Sequence, residues 1–243
     1  MSGIIQCEQG SAEWFAARIG HLTSSRIADA VRKRKRKGKN GSSEDDLQCR
    51  IDLRLELAVE RVTQKISEHY VSRWMERGLL MEPAARFAYE QRMDTETERV
   101  GFVLHPQIEW AGASPDGFVG VDGHVEFKVP KPQTHAKYLI AECVPEIYQP
   151  QMMWQMACSG RKWNDFVSYC DDFPAPLDLF ICRLERDDER IAQMEAEARK
   201  FLEEVAATVS QLGGGLEALL RESVAQRNPN LPRAVIPAMD EVA

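Results

Sequence analysis

Between about residues 100 and 129 the chain reads as four short strands, VGFVL, IEWAG, FVGV and HVEFKV, separated by Pro, Gly and Asp turns. On both sides the apolar spacing becomes helical. Upstream, Thr23-Ser24-Ser25 predicts a helix start near Ser24 or Ser25. Ser43 with Asp46 predicts a capped helix whose buried stripe is Leu47, Ile51, Leu55, Ala58 and Val62. A further helix is expected from Tyr70 to about Arg77, where Gly78 interrupts it, and Glu82-Pro83 opens another. Downstream come a helix over roughly 147–157, the strands DFVSYC and LFICRLE, and one long amphipathic helix over 187–212. Its apolar positions are Ile191, Met194, Ala198, Leu202, Val205, Val209 and Leu212, and Gly213-Gly214-Gly215 is expected to end it. Strands enclosed by helices predict an α/β (α+β) chain, a mixed central β-sheet flanked by helices. No repeat or domain break divides residues 1–243, so a single domain is expected, with a loosely held tail over 228–243.

Composition excludes several classes. With 44% hydrophobic and 28% charged residues the chain has the make-up of a soluble globular protein. No apolar run approaches the roughly 18 residues of a membrane span. MSGIIQCEQGSAEW has no basic flank before an apolar stretch, so no signal peptide is expected. The six cysteines (Cys7, Cys49, Cys143, Cys158, Cys170, Cys182) are scattered, which argues against a zinc knuckle, a redox pair or a clustered iron–sulfur site. They fit free thiols in a reducing cytoplasm.

The chemistry concentrates in Ser114-Pro115-Asp116-Gly117 and Val125-Glu126-Phe127-Lys128. Asp116 and Glu126 flank an expected hairpin whose turn is Asp122-Gly123. Glu126 and Lys128 alternate onto one strand face, while Val125, Phe127 and Val129 take the other and supply core. Two carboxylates on one face give hard oxygen ligands suited to Mg²⁺ or Mn²⁺, and a lysine beside them can orient an attacking water. A turn Asp and a solvated Glu-x-Lys strand face are the plainer reading of the same residues. His124 shares the face of Glu126 but reads as a surface residue at a turn, and Tyr148, Met153 and Trp154 read as packing residues.

Five landmarks occur in order: Glu13-Trp14 with Ala17-Arg18-Ile19-Gly20 and Thr23-Ser24-Ser25; Gly78 to Glu82 with Ala85; Ser114-Pro115-Asp116-Gly117; Glu126-Phe127-Lys128; and Tyr148 with Gln151. Together the chain resembles the phage lambda exonuclease (YqaJ-type viral recombinase) family of PD-(D/E)xK nucleases. The resemblance implies a restriction-endonuclease-like core and two divalent ions per site, Mg²⁺ with Mn²⁺ as substitute. It implies that Asp116, Glu126 and the Phe127 backbone carbonyl ligate metal, that Glu82 helps from the helical side, and that Lys128 positions the nucleophilic water. Arg18, Ser25, Ser114 and Gln151 would receive the 5′-phosphate of the strand being degraded. A helix N-terminus at Ser25 and a bidentate Arg18 suit an anion independently of the resemblance.

The implied activity is 5′-to-3′ digestion of duplex DNA ends to mononucleotides, leaving 3′ single-stranded overhangs. Relatives imply a homotrimeric ring and hand-over to a single-strand annealing protein, in the cytoplasm of a bacterial or phage-infected cell and away from membranes. An endonuclease or junction-resolving enzyme on the same core, or a non-catalytic DNA-end-binding subunit, are the alternatives. A net charge of −7 runs against simple DNA binding, although carboxylates gathered around metal and a basic channel would reconcile the two. Residues 32–39, RKRKRKGK, carry seven basic residues in eight and predict a mobile basic loop over 32–43, either tracking the DNA backbone or simply solvated.

Overall fold

The computed structural model describes residues 3–38, 41–66 and 73–227, and the tail over 228–243 lies outside them, as does Tyr70. In chain order, β1 (Ile4–Ile5) leads to α1 (Ala12–Arg18), capped by Ser11, whose hydroxyl accepts from the Trp14 N–H. β2 (Leu22–Thr23) runs into a single 3-10 turn over Ser24–Arg26 and then the short α2 (Ile27–Val31). A paired ribbon, β3 (Lys33–Gly38) and β4 (Gly41–Asp46), precedes α3 (Gln48–Thr63) and α4 (Arg73–Met93). Five strands follow: β5 (Thr97–Glu98), β6 (Phe102–Leu104), β7 (Ala111–Ala113), β8 (Gly117–Val119) and β9 (Gly123–Lys128). Then come α5 (Pro132–Ala141), α6 (Gln149–Ser159), β10 (Trp163–Tyr169), β11 (Leu179–Glu185) and α7 (Asp188–Arg227).

The main sheet has five strands in the order β11-β10-β9-β8-β5, antiparallel except where β9 and β10 run parallel. A parallel step needs a crossover, and α5 and α6 supply it. A smaller sheet, β1-β6-β7-β2, is also mixed. The fold is therefore the expected mixed α/β arrangement. On one face of β9, Val125 and Phe127, with Val129 just past its end, pack against Ala85 and Tyr89 of α4, and all five are buried. On the other face, Phe166 of β10 joins Tyr138 of α5 and Met152 of α6. The largest cluster lies among α2, α3, α6 and α7, with Leu53, Leu57 and Ala58 meeting Ile191, Ala198, Phe201 and Val205. Among the described residues, no helix is long and apolar enough to cross a membrane.

Several expectations need correction. Of IEWAG only Ala111 and Gly112 lie in a strand, since Trp110 takes a positive φ of 61°, and the β8–β9 turn lies over 120–122 rather than at Asp122-Gly123. The basic run is not irregular: over 33–38 it forms β3, paired with β4 so that Lys33, Arg34 and Lys35 stand opposite Asp46, Asp45 and Glu44 in the backbone register. Ser43 therefore lies in a strand and the α3 N-cap is Leu47. The buried face of α3 is Leu53, Leu57 and Ala58 with Arg50 and Glu60, while Leu55 and Val62 are exposed. Polar residues can occupy that face because each is paired: Arg50 donates to Glu204 at 2.6 and 2.9 Å and to the Ala30 carbonyl at 2.9 Å, and Glu60 accepts the Gly20 N–H at 2.9 Å. Neither Gly78 nor Pro83 breaks α4, because burial of Ala85, Arg86 and Tyr89 against the sheet outweighs their local preference. Likewise α7 continues through the three glycines, each a loss of only about 1 kcal/mol against alanine. The helix α5 was not anticipated at all.

Candidate active site

The β8–β9 hairpin sets Gly117 opposite Val125, so Asp116 lies beside the strand that carries Glu126 and Lys128. Asp116 Oδ2 accepts the Phe127 backbone N–H at 2.7 Å, which ties it to the middle of that strand. Lys128 Nζ donates to Glu126 Oε1 and lies 5.1 Å from the centre of the Tyr148 ring. Glu126 is 1% exposed. A carboxylate so deeply placed needs donors on both oxygens, and α6 provides them: Gln151 Nε2 donates to Oε1 and Gln155 Nε2 to Oε2, each at 2.6 Å.

From the opposite side, Arg86 of α4 is a tether. Its Nη2 donates to Glu82 Oε1 and to the Asp116 carbonyl, both at 2.8 Å, and its Nη1 donates to Thr97 Oγ1 at 2.7 Å. Glu82 sits in mid-helix rather than at a helix start, one turn from Arg86. Burial, then Glu126 and Glu82, raises the Asp116 carboxyl well above the ordinary carboxylate range, against Lys128 and the Phe127 N–H. Burial works against the Lys128 charge too, yet Glu126 and Asp116 outweigh it and hold the ammonium above the usual lysine range. The cluster is thus a concentration of negative charge with a single fixed ammonium inside it. Its donors are oxygens throughout, the chemistry of a hard divalent cation. Another acidic group, Cys170 with Asp171 and Asp172, already faces Arg77 and has no such buried carboxylate.

Ser114, two residues before Asp116, opens the second half of the site. Its Oγ accepts from Arg18 Nη1 at 3.1 Å and from Trp14 Nε1 at 2.9 Å, and the Arg18 guanidinium stacks 4.0 Å over the Trp14 ring. Arg18 and Ser25 line one cavity of about 550 Å³, together with Trp14, His21 and Glu60. Burial lowers Arg18 to about 10, with Glu60 opposing the shift. Ser25 is exposed at the start of a 3-10 turn instead of a long helix.

Asp116, Glu126, Lys128 and Glu82 therefore converge, and Arg18 meets Ser114 beside them. Gln151 contacts Glu126 and not the Arg18–Ser114 pair. His124 is fully buried rather than at the surface, its ring 5.3 Å from Phe118. Sequence reasoning missed Arg86, Gln155 and Asn164. A helical i, i+4 step from Glu82 and from Gln151 points to the first two; Asn164 is reached only through the β9–β10 pairing.

This geometry has relatives. The model of the YqaJ-like viral recombinase domain matches residues 13–162, a span that holds every sequence-predicted site residue, with Asn164 just beyond it. The chain belongs to the YqaJ-like viral recombinase family. The chain is 37% identical to the alkaline exonuclease LHK-Exo of Laribacter hongkongensis, covering 86% of this chain and 100% of that one with a TM-score of 0.76. The same exonuclease in complex with dAMP superposes with a TM-score of 0.77, at the same identity and coverage. A phage-related exonuclease from Haemophilus somnus 129PT shares the fold, with a TM-score of 0.59 at 11% identity over 79% of this chain and 96% of that one. No curated protein matches the chain. By family and fold, this member of the YqaJ-like family is a nuclease.

Proposed function

We propose that this nuclease is a metal-dependent exonuclease that binds duplex DNA ends and degrades the 5′ strand to mononucleotides, leaving 3′ overhangs for recombination by strand annealing. The observation that carries the reading is the adjacency of two unlike groups: an anion grip, Arg18 with Ser114, two residues from Asp116 in the buried carboxylate–lysine cluster. A grip on a terminal 5′-phosphate fixes which phosphodiester reaches the carboxylates, and so fixes polarity. The similarity to an exonuclease solved with dAMP supports a mononucleotide product.

Asp116, Glu126 and the Phe127 carbonyl would hold Mg²⁺ or Mn²⁺, with Glu82 contributing to a second ion. When bound, such ions acidify water and neutralise phosphate oxygens. Lys128 orients the attacking water and offsets charge that develops on the phosphate. Arg18, Ser25 and Ser114 seat the 5′-phosphate, and Gln151, which holds Glu126, would join them only once the phosphate is bound. A homotrimeric ring with a basic channel would keep an acidic chain on DNA, and the overhang would pass to a single-strand annealing protein in the cytoplasm. Sedimentation with and without DNA tests the ring.

The activity is tested on linear duplex DNA with one 5′-phosphate, labelled separately at each end, with Mg²⁺ or EDTA and beside a closed circle. Metal-dependent release of mononucleotides from the phosphorylated 5′ end, with the circle untouched, is the expected result. Cutting of the circle would make the enzyme an endonuclease, and end binding without cleavage would make it a DNA-binding subunit.

A further inference from the structure

The Glu126 carboxylate is held on its closed side by two amides in series. Gln155 Nε2 donates to Glu126 Oε2 at 2.6 Å, and Asn164 Nδ2 donates to Gln155 Oε1 at 2.6 Å. All three residues are 0 to 1% exposed. Chemistry leaves one orientation for both amides. An ionised carboxylate can only accept, so Gln155 must present its NH₂ to Glu126. Its carbonyl then faces Asn164, which must present its own NH₂ in turn. Both amide dipoles aim their positive ends at Glu126.

Three elements build this chain: β9 carries Glu126, α6 carries Gln155 and β10 carries Asn164. The parallel β9–β10 register sets Asn164 opposite His124 and Phe166 opposite Glu126, so the polar residues share the face that α6 covers. A carboxylate and two amides are a poor choice for packing alone, since apolar residues of like volume fill such a space at no loss of stability. On the open side, Lys128 and Gln151 share Oε1. Oε2 is therefore the fixed end of the carboxylate, and Gln155 sets the rotation of the group as a whole.

We infer that Gln155, oriented by Asn164, is a positioning residue that fixes the Glu126 carboxylate for a divalent cation. The inference rests on the metal-dependent reading above. It assigns neither residue a contact with substrate or metal. Partners that orient a ligand in this way commonly govern metal affinity by about 10- to 100-fold.

The test is Mn²⁺ titration of the metal-free full chain by calorimetry, without DNA, for wild type, Gln155→Met and Asn164→Leu, both close to isosteric. The Mg²⁺ dependence of duplex hydrolysis is measured in parallel. Gln155→Met is expected to bind Mn²⁺ about tenfold more weakly or worse, and to need correspondingly more Mg²⁺ for half-maximal rate. Its rate at saturating Mg²⁺ should return toward wild type. Asn164→Leu, one step further away, should shift both readouts in the same direction by less. Wild-type affinity in a folded variant of either kind overturns the inference, as does failure of both variants to fold, which would make the pair structural. A wild-type chain that binds no Mn²⁺ overturns the metal-dependent reading itself.

Discussion

The Ser114 hydroxyl accepts two hydrogen bonds, one from Arg18 at 3.1 Å and one from Trp14 at 2.9 Å, across 96 and 100 residues of chain. With both lone pairs used, its own proton is left to donate. Arg18 and Ser114 therefore offer an anion a guanidinium and a hydroxyl from two separate elements. Arg18→Ala should lower the preference for a 5′-phosphorylated over a 5′-hydroxyl end by about 10- to 100-fold, the worth of one charge-assisted hydrogen bond. Competition between the two substrates at equal concentration measures this ratio. An unchanged ratio would move the phosphate site elsewhere.

Lys128 is the one ammonium fixed inside the carboxylate cluster. Lys128→Ala should reduce cleavage by at least about a hundredfold, the usual scale for loss of a group that positions a proton or a water. Binding to duplex ends should persist, because Arg18 and Ser114 are untouched. Single-turnover cleavage and a gel-shift titration on the same DNA separate the two effects. A variant that still cuts near the wild-type rate would remove Lys128 from the chemistry.

The meeting of Asp116, Glu126 and Lys128 was legible because strand alternation puts Glu126 and Lys128 on one face and a hairpin brings Asp116 beside them, although the turn lies over 120–122 and Gly123, read as a turn residue, pairs with Val119 as the first residue of β9. The predicted face of α3 held at Ala58 but failed at Leu55 and Val62, because Arg50 and Glu60 occupy core positions that a hydrophobic count passes over, and their partners Glu204 and Gly20 come from distant segments. For the same reason the buried state of His124 was missed, since the cover over that strand face is α6 and no local pattern announces it. Gly78, Pro83 and the glycine run were over-read as breaks, because their penalties are small beside the packing or continuity of a long helix. Pairing across strands decided Asn164.

Removing a charge from the cluster should stabilise the metal-free protein. The raised pKa of Asp116 means that the folded chain keeps a proton the unfolded chain has released. Ionising it as pH rises therefore subtracts from stability, between the unfolded carboxyl pKa and the higher folded one. A divalent cation competes with that proton, so Mg²⁺ should raise Tm, and more at about pH 8 than at about pH 6. Asp116→Asn should gain roughly 1 to 2 kcal/mol without metal and lose the Mg²⁺ response. Scanning calorimetry decides it: an equal Mg²⁺ shift in Asp116→Asn would place the ion elsewhere.

Two glycines should respond to alanine in opposite directions. At Gly101 an added Cβ would lie 2.3 Å from the Ile5 carbonyl oxygen and 2.8 Å from the Cys7 backbone N and O, and none of these can give way without moving the strand. Gly101→Ala should destabilise by about 1 to 3 kcal/mol. Gly213, inside α7, has nothing within 4 Å of such an atom. Gly213→Ala should stabilise by up to about 1 kcal/mol through helix propensity. Urea unfolding of both variants checks the contrast, and a stabilised Gly101→Ala would show that β1 does not hold its place against β6.

His124 should make the protein sensitive to acid. Burial, then the charge of Arg161, pushes its imidazole down to about 3 from an ordinary 6.5. Below pH 6.5 the unfolded chain takes up a proton at this position that the folded chain refuses. Stability therefore falls as pH drops from that value toward about 3, by up to about 1.4 kcal/mol per pH unit from this residue alone. The carboxylates add their own slopes, so the decisive quantity is the difference between wild type and His124→Leu. Urea unfolding at a series of pH values should give a shallower acid limb for His124→Leu, by close to one proton. Parallel limbs would mean that the folded protein protonates His124 as readily as the unfolded chain does, which a fully enclosed imidazole can do only if the α6 cover opens first.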